Sequence, residues 1–203
     1  MPKSSDSDSQ RTRQKWNARF RDRVSTPAAA RVLLDNQHLL PASGRALDLA
    51  CGLGGNALLL AEHGLETHAW DISDVAVARL QERARQQGLS LHAEARDVTR
   101  CPPTPERFEV IVVSRFLERE LAPVLIEALT LNGLLFYQTF TRNAVDAYGP
   151  PIPAYRLAEQ ELLSLFCPLQ LLVYREEGRV GDIARGWRNE AMFVGQKTVH
   201  VSV

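Results

Sequence analysis

The sequence predicts an α/β protein built on a doubly wound sheet, with five parallel-type strands closed by an antiparallel C-terminal strand pair. Three observations lead to this fold class. From Gly44 onward, short apolar runs alternate with longer helical patterns, which is typical of βαβ units. A glycine-rich turn directly follows the first apolar run. The last two runs have no helical pattern between them, so their strands are expected to pair antiparallel.

The apolar runs predict seven strands, over residues 45–50, 66–70, 90–95, 108–113, 133–140, 169–175 and 190–196. Helix-boundary residues predict the helices between them: one from about Gly54 to His63, one behind the N-cap Ser73 that stops at Gly88, one with Pro123 in its first turn that ends at Asn132-Gly133, and one near 157–166. Three prolines in the four positions 102–105 exclude a regular helix between the third and fourth strands.

Before the sheet, the chain divides into a tail over residues 1–10, expected to be disordered, and a helical arm over residues 11–40; the main domain follows over 41–203. Apolar residues recur in the arm at a spacing of four, which predicts one stripe of an amphipathic helix: Trp16, Phe20 and Val24. Two interpretations are open. The helix packs its stripe on the domain with its basic residues in solvent, or it forms a lid over a ligand.

Composition excludes several classes of protein. The 203 residues are 45% hydrophobic, which suits a single domain with a sizeable core. The formal net charge is +0, but residues 1–26 hold seven Lys/Arg against three Asp. An acidic body with a basic arm makes a nucleic-acid partner unlikely. The three cysteines lie far apart, so neither a disulfide framework nor a metal site is expected. The polar N-terminus and the lack of a long apolar run predict a cytoplasmic protein without a membrane segment.

The glycine-rich turn after the first strand predicts a ligand site. Gly52 and Gly54 allow a tight turn and close approach of a ligand, and the amides of the following helix favour an anionic group. The spacing of these glycines and Ala57 also satisfies a dinucleotide fingerprint, which leaves NAD or FAD open. Asp48 argues against a dinucleotide, since a carboxylate suits a ligand ammonium and repels a pyrophosphate. Alternatively, Asp48 hydrogen-bonds the amides of its own turn.

Two further carboxylates end the second and third strands. Asp71 lies 17 positions after Gly54, close to the separation expected of a residue that accepts both hydroxyls of a ribose. Asp97 can accept a hydrogen bond from an adenine amino group beside the apolar Ile72 and Val98. The alternative for each carboxylate is a loop-capping Asx turn. All these residues are expected at the sheet edge where open α/β folds bind ligands.

The successive motifs resemble those of class I S-adenosylmethionine-dependent methyltransferases over about residues 45–140: LDLACGLGGN, AWDIS, RDV, FEVIVV and LNGLLFYQTF. Within that class the chain is most similar to the bacterial small-molecule branch of tellurite-resistance and thiopurine-type enzymes, through TFTRNAVDAYGPP as well. The resemblance implies a Rossmann-like fold, S-adenosylmethionine as cofactor and transfer of a methyl group to a small-molecule acceptor.

The resemblance also implies roles for residues. The methionine end of the cofactor would be held by Asp48, Ala50, Gly52, Gly54 and Asn56. Ribose and adenine would contact Asp71 and Ile72, adenine would also contact Asp97 and Val98, and the methyl donor would lie near Ser114 and Arg115. Ala50 departs from the family, in which many members carry Gly there. Arg115 is alternatively a surface residue.

Catalysis by in-line methyl transfer depends mainly on alignment of nucleophile and methyl group, and a soft nucleophile needs no base. No catalytic residue is assigned, because the five histidines fit surface or packing positions. The segment 114–117 lacks the motifs of base-methylating enzymes. The loop 148–155, rich in Pro and Tyr, either walls an acceptor pocket or is a simple connector. Two other functions stay open: an RNA or protein methyltransferase that docks through its basic arm, and a nicotinamide- or flavin-binding oxidoreductase. A cofactor-binding protein without catalysis is a further possibility. The methyl acceptor and the oligomeric state do not follow from the sequence.

Overall fold

A computed structural model describes residues 6–23, 25 and 27–199. Seven strands form one mixed sheet in the order β3-β2-β1-β4-β5-β7-β6. They are β1 (Arg45–Leu49), β2 (Glu66–Asp71), β3 (Leu91–Ala95), β4 (Phe108–Ser114), β5 (Leu129–Phe140), β6 (Gln170–Arg175) and β7 (Glu190–Gln196). The first five are parallel, and β7 runs antiparallel to both β5 and β6. The predicted fold class is confirmed. Strand order reverses between β1 and β4, where sheets of this kind form a ligand crevice.

In the described part of the chain, six α-helices flank the sheet: α1 (Asp6–Arg21), α2 (Arg31–Leu34), α3 (Gly55–Glu62), α4 (Asp74–Gln87), α5 (Ala122–Ala128) and α6 (Glu161–Leu165). Both faces of the central strands are covered, since residues of β4 alternate between two hydrophobic clusters: Ile111 and Val113 lie in one, and Val110 and Val112 in the other. This explains why β4 reads as a continuous apolar run rather than an alternating one. The central strands are therefore buried on both faces, and ligands reach them at the ends of the strands.

The caps of α4 match their sequence signals. The Ser73 side chain accepts a hydrogen bond from the backbone N–H of Ala76, which satisfies one free amide of the first turn. At the other end Gly88 takes the left-handed conformation, with φ 65°. These two residues define where α4 begins and ends. Ser73 also lies in the loop between β2 and α4, at the ligand edge of the sheet.

The prediction of a disordered tail over residues 1–10 is wrong for residues 6–10, which form the first turns of α1. Asp6 and Asp8 lie in the first turn, where negative charge interacts favourably with the helix dipole. Asp6 also pairs with Arg100, and Ser9 contacts Asp97. Tertiary contacts thus order a segment whose composition favours disorder. Residues 1–5 and Val24, the last member of the predicted stripe, lie outside the described residues.

Two helix boundaries also differ from prediction. Helix α5 ends at Ala128 rather than at Asn132, because Leu129 already enters β5 and is fully buried. A register shift against β4 and a positive φ of 65° at Asn132 accommodate the irregular start of this strand. The last helix begins at Glu161 rather than near residue 157, because Leu157 pairs with Thr141 in an isolated parallel bridge.

The three cysteines are free thiols. Over the described ranges of the chain, no group of His, Cys, Asp and Glu side chains is arranged to hold a metal ion. Within the same ranges, no helix combines the length and the apolar character needed to cross a membrane.

Candidate active site

The candidate site lies at the carboxyl edge of the sheet, centred on the loop between β1 and α3. This loop turns sharply through three residues with positive φ: Ala50 at 57°, Gly52 at 53° and Gly54 at 80°. A Cβ on Gly54 would lie 2.3 Å from Cδ1 of the buried Leu80, so only glycine fits between the loop and α4. Ala50 also has a positive φ although it carries a Cβ, a conformation that glycine adopts at less cost.

Asp48 lies beneath the loop and is completely buried. Its carboxylate accepts hydrogen bonds from Asn56 Nδ2 and from the backbone N–H of Ala57, both at 3.1 Å. Burial raises the pKa of Asp48 to about 7, although these two hydrogen bonds act in the opposite direction. The structure therefore contains the contact given as the alternative, in which Asp48 bonds its own turn. A direct contact with a ligand ammonium stays a prediction.

Asn56 connects this loop to two other parts of the site. Its Nδ2 also donates to Ser114 Oγ at the end of β4, 3.0 Å away. Its Oδ1 accepts the backbone N–H of Ala30, at 2.8 Å. One buried side chain thus joins the glycine-rich loop, the carboxyl end of β4 and the segment that leads from the arm.

Asp71 performs a similar role at the end of β2. Its two oxygens accept the backbone N–H groups of Gly52 and Ser73, each at 2.8 Å. The second bond is the Asx-type contact given as the alternative, and the first joins two loops of the site. Burial raises the pKa of Asp71, and the two backbone hydrogen bonds partly offset that effect. Ile72 follows it, half-buried at the same edge.

Asp97 lies at the third position along this edge, beyond the end of β3. Its carboxylate accepts the backbone N–H of Thr99 at 3.1 Å and the hydroxyl of Thr99 at 2.7 Å, and it is also bonded by Ser9 Oγ of α1. Partial burial acts to raise its pKa, but these hydrogen bonds outweigh it and the pKa lies below its ordinary value. A groove of about 550 Å³ opens beside Asp97. Val98 next to it is buried.

The arm lies along this edge at the glycine-rich loop and α4. Phe20 of α1 stacks on Trp16 and packs on the loop, where a Cβ on Gly52 would lie 3.2 Å from the Phe20 ring. Further along, the backbone oxygen of Pro27 lies so near Gly55 that a Cβ there would approach it to 2.4 Å. Arg79 of α4 fastens the end of α1 by donating to the backbone oxygens of Phe20, Arg21 and Arg23. The predicted stripe therefore packs on the domain, and it does so over the glycine-rich loop.

Arg115 follows β4 in a left-handed conformation, with φ 55°. Its Nε donates to Oε1 of Glu190 at 2.9 Å, and the other oxygen of Glu190 is bonded by Gln138 Nε2. Sequence reasoning did not single out Gln138 or Glu190. A signal was present, since Gln138 directly follows the apolar run LLFY of β5 and Glu190 is the one charged residue of β7, and both are buried.

The loop after β5 is held by arginines. Arg156 is buried and donates to the backbone oxygens of Thr141, Tyr148 and Pro150, at 2.7–3.0 Å. This clamp places the half-exposed ring of Tyr148 5.9 Å from the guanidinium carbon of Arg115. The loop is therefore fixed beside Arg115, as a pocket wall would be.

Comparison with known proteins finds a methyltransferase domain in this chain. The profile of the methyltransferase domain family matches residues 46–130. The probable S-adenosyl-L-methionine-dependent methyltransferase TehB of Haemophilus influenzae is 27% identical over 138 residues, which are 65% of this chain and 48% of TehB. Residues 46–130 thus match a methyltransferase domain, and the chain is similar to S-adenosylmethionine-dependent methyltransferases of class I. The cofactor of this class is S-adenosylmethionine.

Solved structures agree with this methyltransferase fold. The crystal structure of Haemophilus influenzae TehB superposes with a TM-score of 0.70 at 22% identity, over 90% of this chain and 67% of that one. The [4+2]-cyclase SpnF gives a TM-score of 0.71 at 17% identity, over 94% and 96% of the two chains. Hemagglutinin 1 of Eikenella corrodens is 30% identical over 65% of this chain and 46% of its own. The chain spans about half the length of the curated relatives it matches.

The site residues of this methyltransferase fit its cofactor by their chemistry. Three carboxylates, Asp48, Asp71 and Asp97, end or follow three neighbouring strands and offer acceptors for an ammonium, ribose hydroxyls and an adenine amino group. A Cβ added to Gly52 would contact Phe20 of the arm, and a Cβ added to Gly55 would contact the arm's backbone at Pro27; in neither case do the nearest atoms belong to a side chain of the sheet domain. The arm thus lies directly against the loop at Gly52 and Gly55.

Proposed function

We propose that this protein transfers a methyl group from S-adenosylmethionine to a small-molecule acceptor at the carboxyl edge between β1 and β4. The observation that carries the proposal is the alignment of Asp48, Asp71 and Asp97 along one sheet edge, beside a loop that contains three residues with positive φ. When bound, the cofactor supplies an electrophilic methyl group. No catalytic base is assigned, and the acceptor would lie beside Arg115 and Tyr148.

In this proposal the residues around the loop orient the cofactor rather than react. Asp48 lies beneath the loop and would attract the ammonium group of the cofactor's methionine end. Because the pKa of Asp48 is about 7, binding of this cation would favour the ionised form of the carboxyl group. The backbone of Ala50, Gly52 and Gly54, together with Asn56, would shape the methionine end. Asp71 and Ile72 would contact the ribose and adenine, Asp97 and Val98 would contact adenine, and Ser114 and Arg115 would border the methyl group. Alignment and exclusion of water then supply most of the rate enhancement.

We further propose that the arm is a lid. Its apolar stripe lies against the loop, and polar side chains of α1, the helix that extends into the arm, engage the domain: Ser9 bonds Asp97, Arg13 pairs with Asp74 at 3.2 Å, and Asn17 accepts from Ser73 at 2.6 Å. Because these polar side chains already bond the protein's own domain, fewer of them are available to an RNA or protein partner. This supports a small-molecule acceptor over an RNA or protein acceptor that docks through the arm. The cytoplasmic location stays a prediction.

Calorimetric titration with S-adenosylmethionine, S-adenosylhomocysteine and NAD tests the cofactor. We expect micromolar binding of the first two and none of NAD. Asp71→Asn should weaken both by at least about tenfold, since one charged hydrogen-bond acceptor contributes that much or more. Asp35→Asn is the matched control, because Asp35 pairs with Arg31 on the surface and should bind as the unmodified protein does. Binding of NAD alone would overturn the proposal.

Activity is measured separately, as transfer of a labelled methyl group to a panel of small thiols and metalloid oxyanions. The same reaction mixture receives total RNA and a protein extract in parallel. Label in a small molecule supports the proposal. Label only in RNA or protein would favour docking through the arm, with a steep loss of activity on added salt if RNA is the acceptor.

A further inference from the structure

The backbone of Arg115 is strained at the point where the methyl acceptor is expected. A residue with a Cβ rarely adopts a φ of 55°, and such conformations persist where the surrounding structure imposes them, often at functional sites. Here the N–H of Arg115 donates to the backbone oxygen of Gln138 at 2.8 Å. The neighbouring Ser114 is bonded to Asn56 of the glycine-rich loop. Arg115 therefore lies at the border of the proposed cofactor site, directly after Ser114, and its backbone is held by a hydrogen bond.

The orientation of the Arg115 guanidinium is fixed through a buried carboxylate. Nε donates to Glu190, which is only 4% exposed and whose second oxygen is bonded by Gln138. Gln138 in turn accepts the backbone N–H of Val32 at 2.8 Å. Both carboxylate oxygens of Glu190 are thus occupied. The chain Val32–Gln138–Glu190–Arg115 holds the guanidinium by one edge and leaves its other edge free.

That free edge carries two nitrogens available to a ligand. Among the described residues, none accepts a hydrogen bond from Nη1 or Nη2 of Arg115, and half of its side chain is exposed. Arg119 is a useful contrast, since Nε and Nη2 bond Glu161 and Nη1 bonds the backbone oxygen of Ala154. Arg119 therefore has a complete set of partners within the chain, whereas Arg115 has an unfilled pair of donors beside the ring of Tyr148.

We propose that Arg115 binds an anionic oxygen group of the methyl acceptor and so orients the acceptor toward the methyl donor. A planar guanidinium with two parallel free N–H groups matches a carboxylate or another oxyanion in bidentate geometry. Tyr148 provides an aromatic wall for the remainder of the acceptor. This assigns a substrate class, molecules with a carboxylate or oxyanion, and it rests on the proposed methyltransferase function.

The test compares benzoate with benzamide, its neutral isostere, in protein saturated with S-adenosylhomocysteine. We expect benzoate to bind at least about tenfold more tightly, since charge-assisted bidentate pairs are much stronger than neutral hydrogen bonds. Arg115→Gln should bring the ratio of the two affinities close to one, and Arg115→Lys should keep an intermediate ratio. The ratio is informative because a general loss of folding or of cofactor binding would lower the affinities for both ligands together.

Arg119→Gln is the matched control and should keep the ratio of the unmodified protein. Competition by inorganic phosphate would support a site for small oxyanions in general, and lack of competition a site for organic carboxylates. Equal affinities for benzoate and benzamide, or a ratio unchanged in Arg115→Gln, would overturn the assignment. Failure to bind S-adenosylhomocysteine would instead contradict the proposed function, so the two failures are distinguishable.

Discussion

Replacing Gly54 by Ala tests the close approach between the glycine-rich loop and α4. The new Cβ would lie 2.3, 2.5 and 2.9 Å from the Cδ1, Cδ2 and Cγ atoms of Leu80, whose side chain is 1% exposed and cannot move into solvent. Overpacking of this kind costs about 1–3 kcal/mol. A φ of 80° adds about 1 kcal/mol for a residue with a Cβ. We therefore expect a loss of about 2–4 kcal/mol in the free energy of unfolding.

Gly88→Ala isolates the contribution of strain. Gly88 has a similar φ of 65°, but a Cβ there meets no atom within 4 Å, so about 1 kcal/mol is expected. Urea unfolding without ligand measures the free energy of unfolding of both variants. In thermal unfolding, Gly54→Ala should lower the melting temperature by about 5–15 °C. In Leu80→Ala the added methyl group has room, so the two substitutions together should cost about 1–2 kcal/mol less than their sum. Equal losses in Gly54→Ala and Gly88→Ala, within about 0.5 kcal/mol, would refute the reasoning.

Three further predictions concern burial, the arm and the loop after β5. Because burial raises the pKa of Asp48 from 3.8 to about 7, the folded protein holds this proton more tightly than the unfolded chain does. Relative to Asp48→Asn, the free energy of unfolding should therefore fall by about 2–3 kcal/mol between pH 5 and pH 8, as measured by urea unfolding. If the difference between the two proteins does not change over this range, Asp48 is already ionised at pH 5. Gly55→Ala should displace the backbone at Pro27 and speed amide exchange in α1 but not in the sheet, and unchanged exchange in α1 would contradict the contact. Arg156→Lys should make the loop after β5 sensitive to limited proteolysis, because a lysine cannot reproduce three directed bonds, whereas Arg142→Lys at the surface should not.

The sheet could be predicted from the sequence because its signals are local. The run FEVIVV is apolar throughout, as a strand covered on both faces must be, and β7 has the predicted bounds of 190–196. The start of β5 could not be predicted. Leu129 follows an apolar helix without a break, and the decision between helix and strand there depends on pairing with Phe108, which is 21 positions away along the chain.

The candidate site was predictable in its chemistry but not in its contacts. Carboxylates at strand ends identify Asp48 and Asp71, yet the sequence does not show that both bond backbone amides of the site itself. Nor does it show that Ser9, in a polar and apparently featureless segment, reaches Asp97. These contacts depend on how the arm folds back, which no local pattern encodes. Glu190 was missed because a single charge at the start of an apolar strand resembles an ordinary strand boundary.

The short stretch from Ala30 to Val32 has a consequence for how the molecule opens. The N–H of Ala30 is held by Asn56 of the glycine-rich loop, and the N–H of Val32 by Gln138, which also bonds Glu190. Loosening this stretch would deprive both Asn56 and Gln138 of a partner at the same time. The arm, the loop and the anchor of Arg115 should therefore behave as one cooperative unit in local unfolding, with a common opening free energy below that of the sheet. A protein arranged in this way would order its cofactor and acceptor subsites together or not at all.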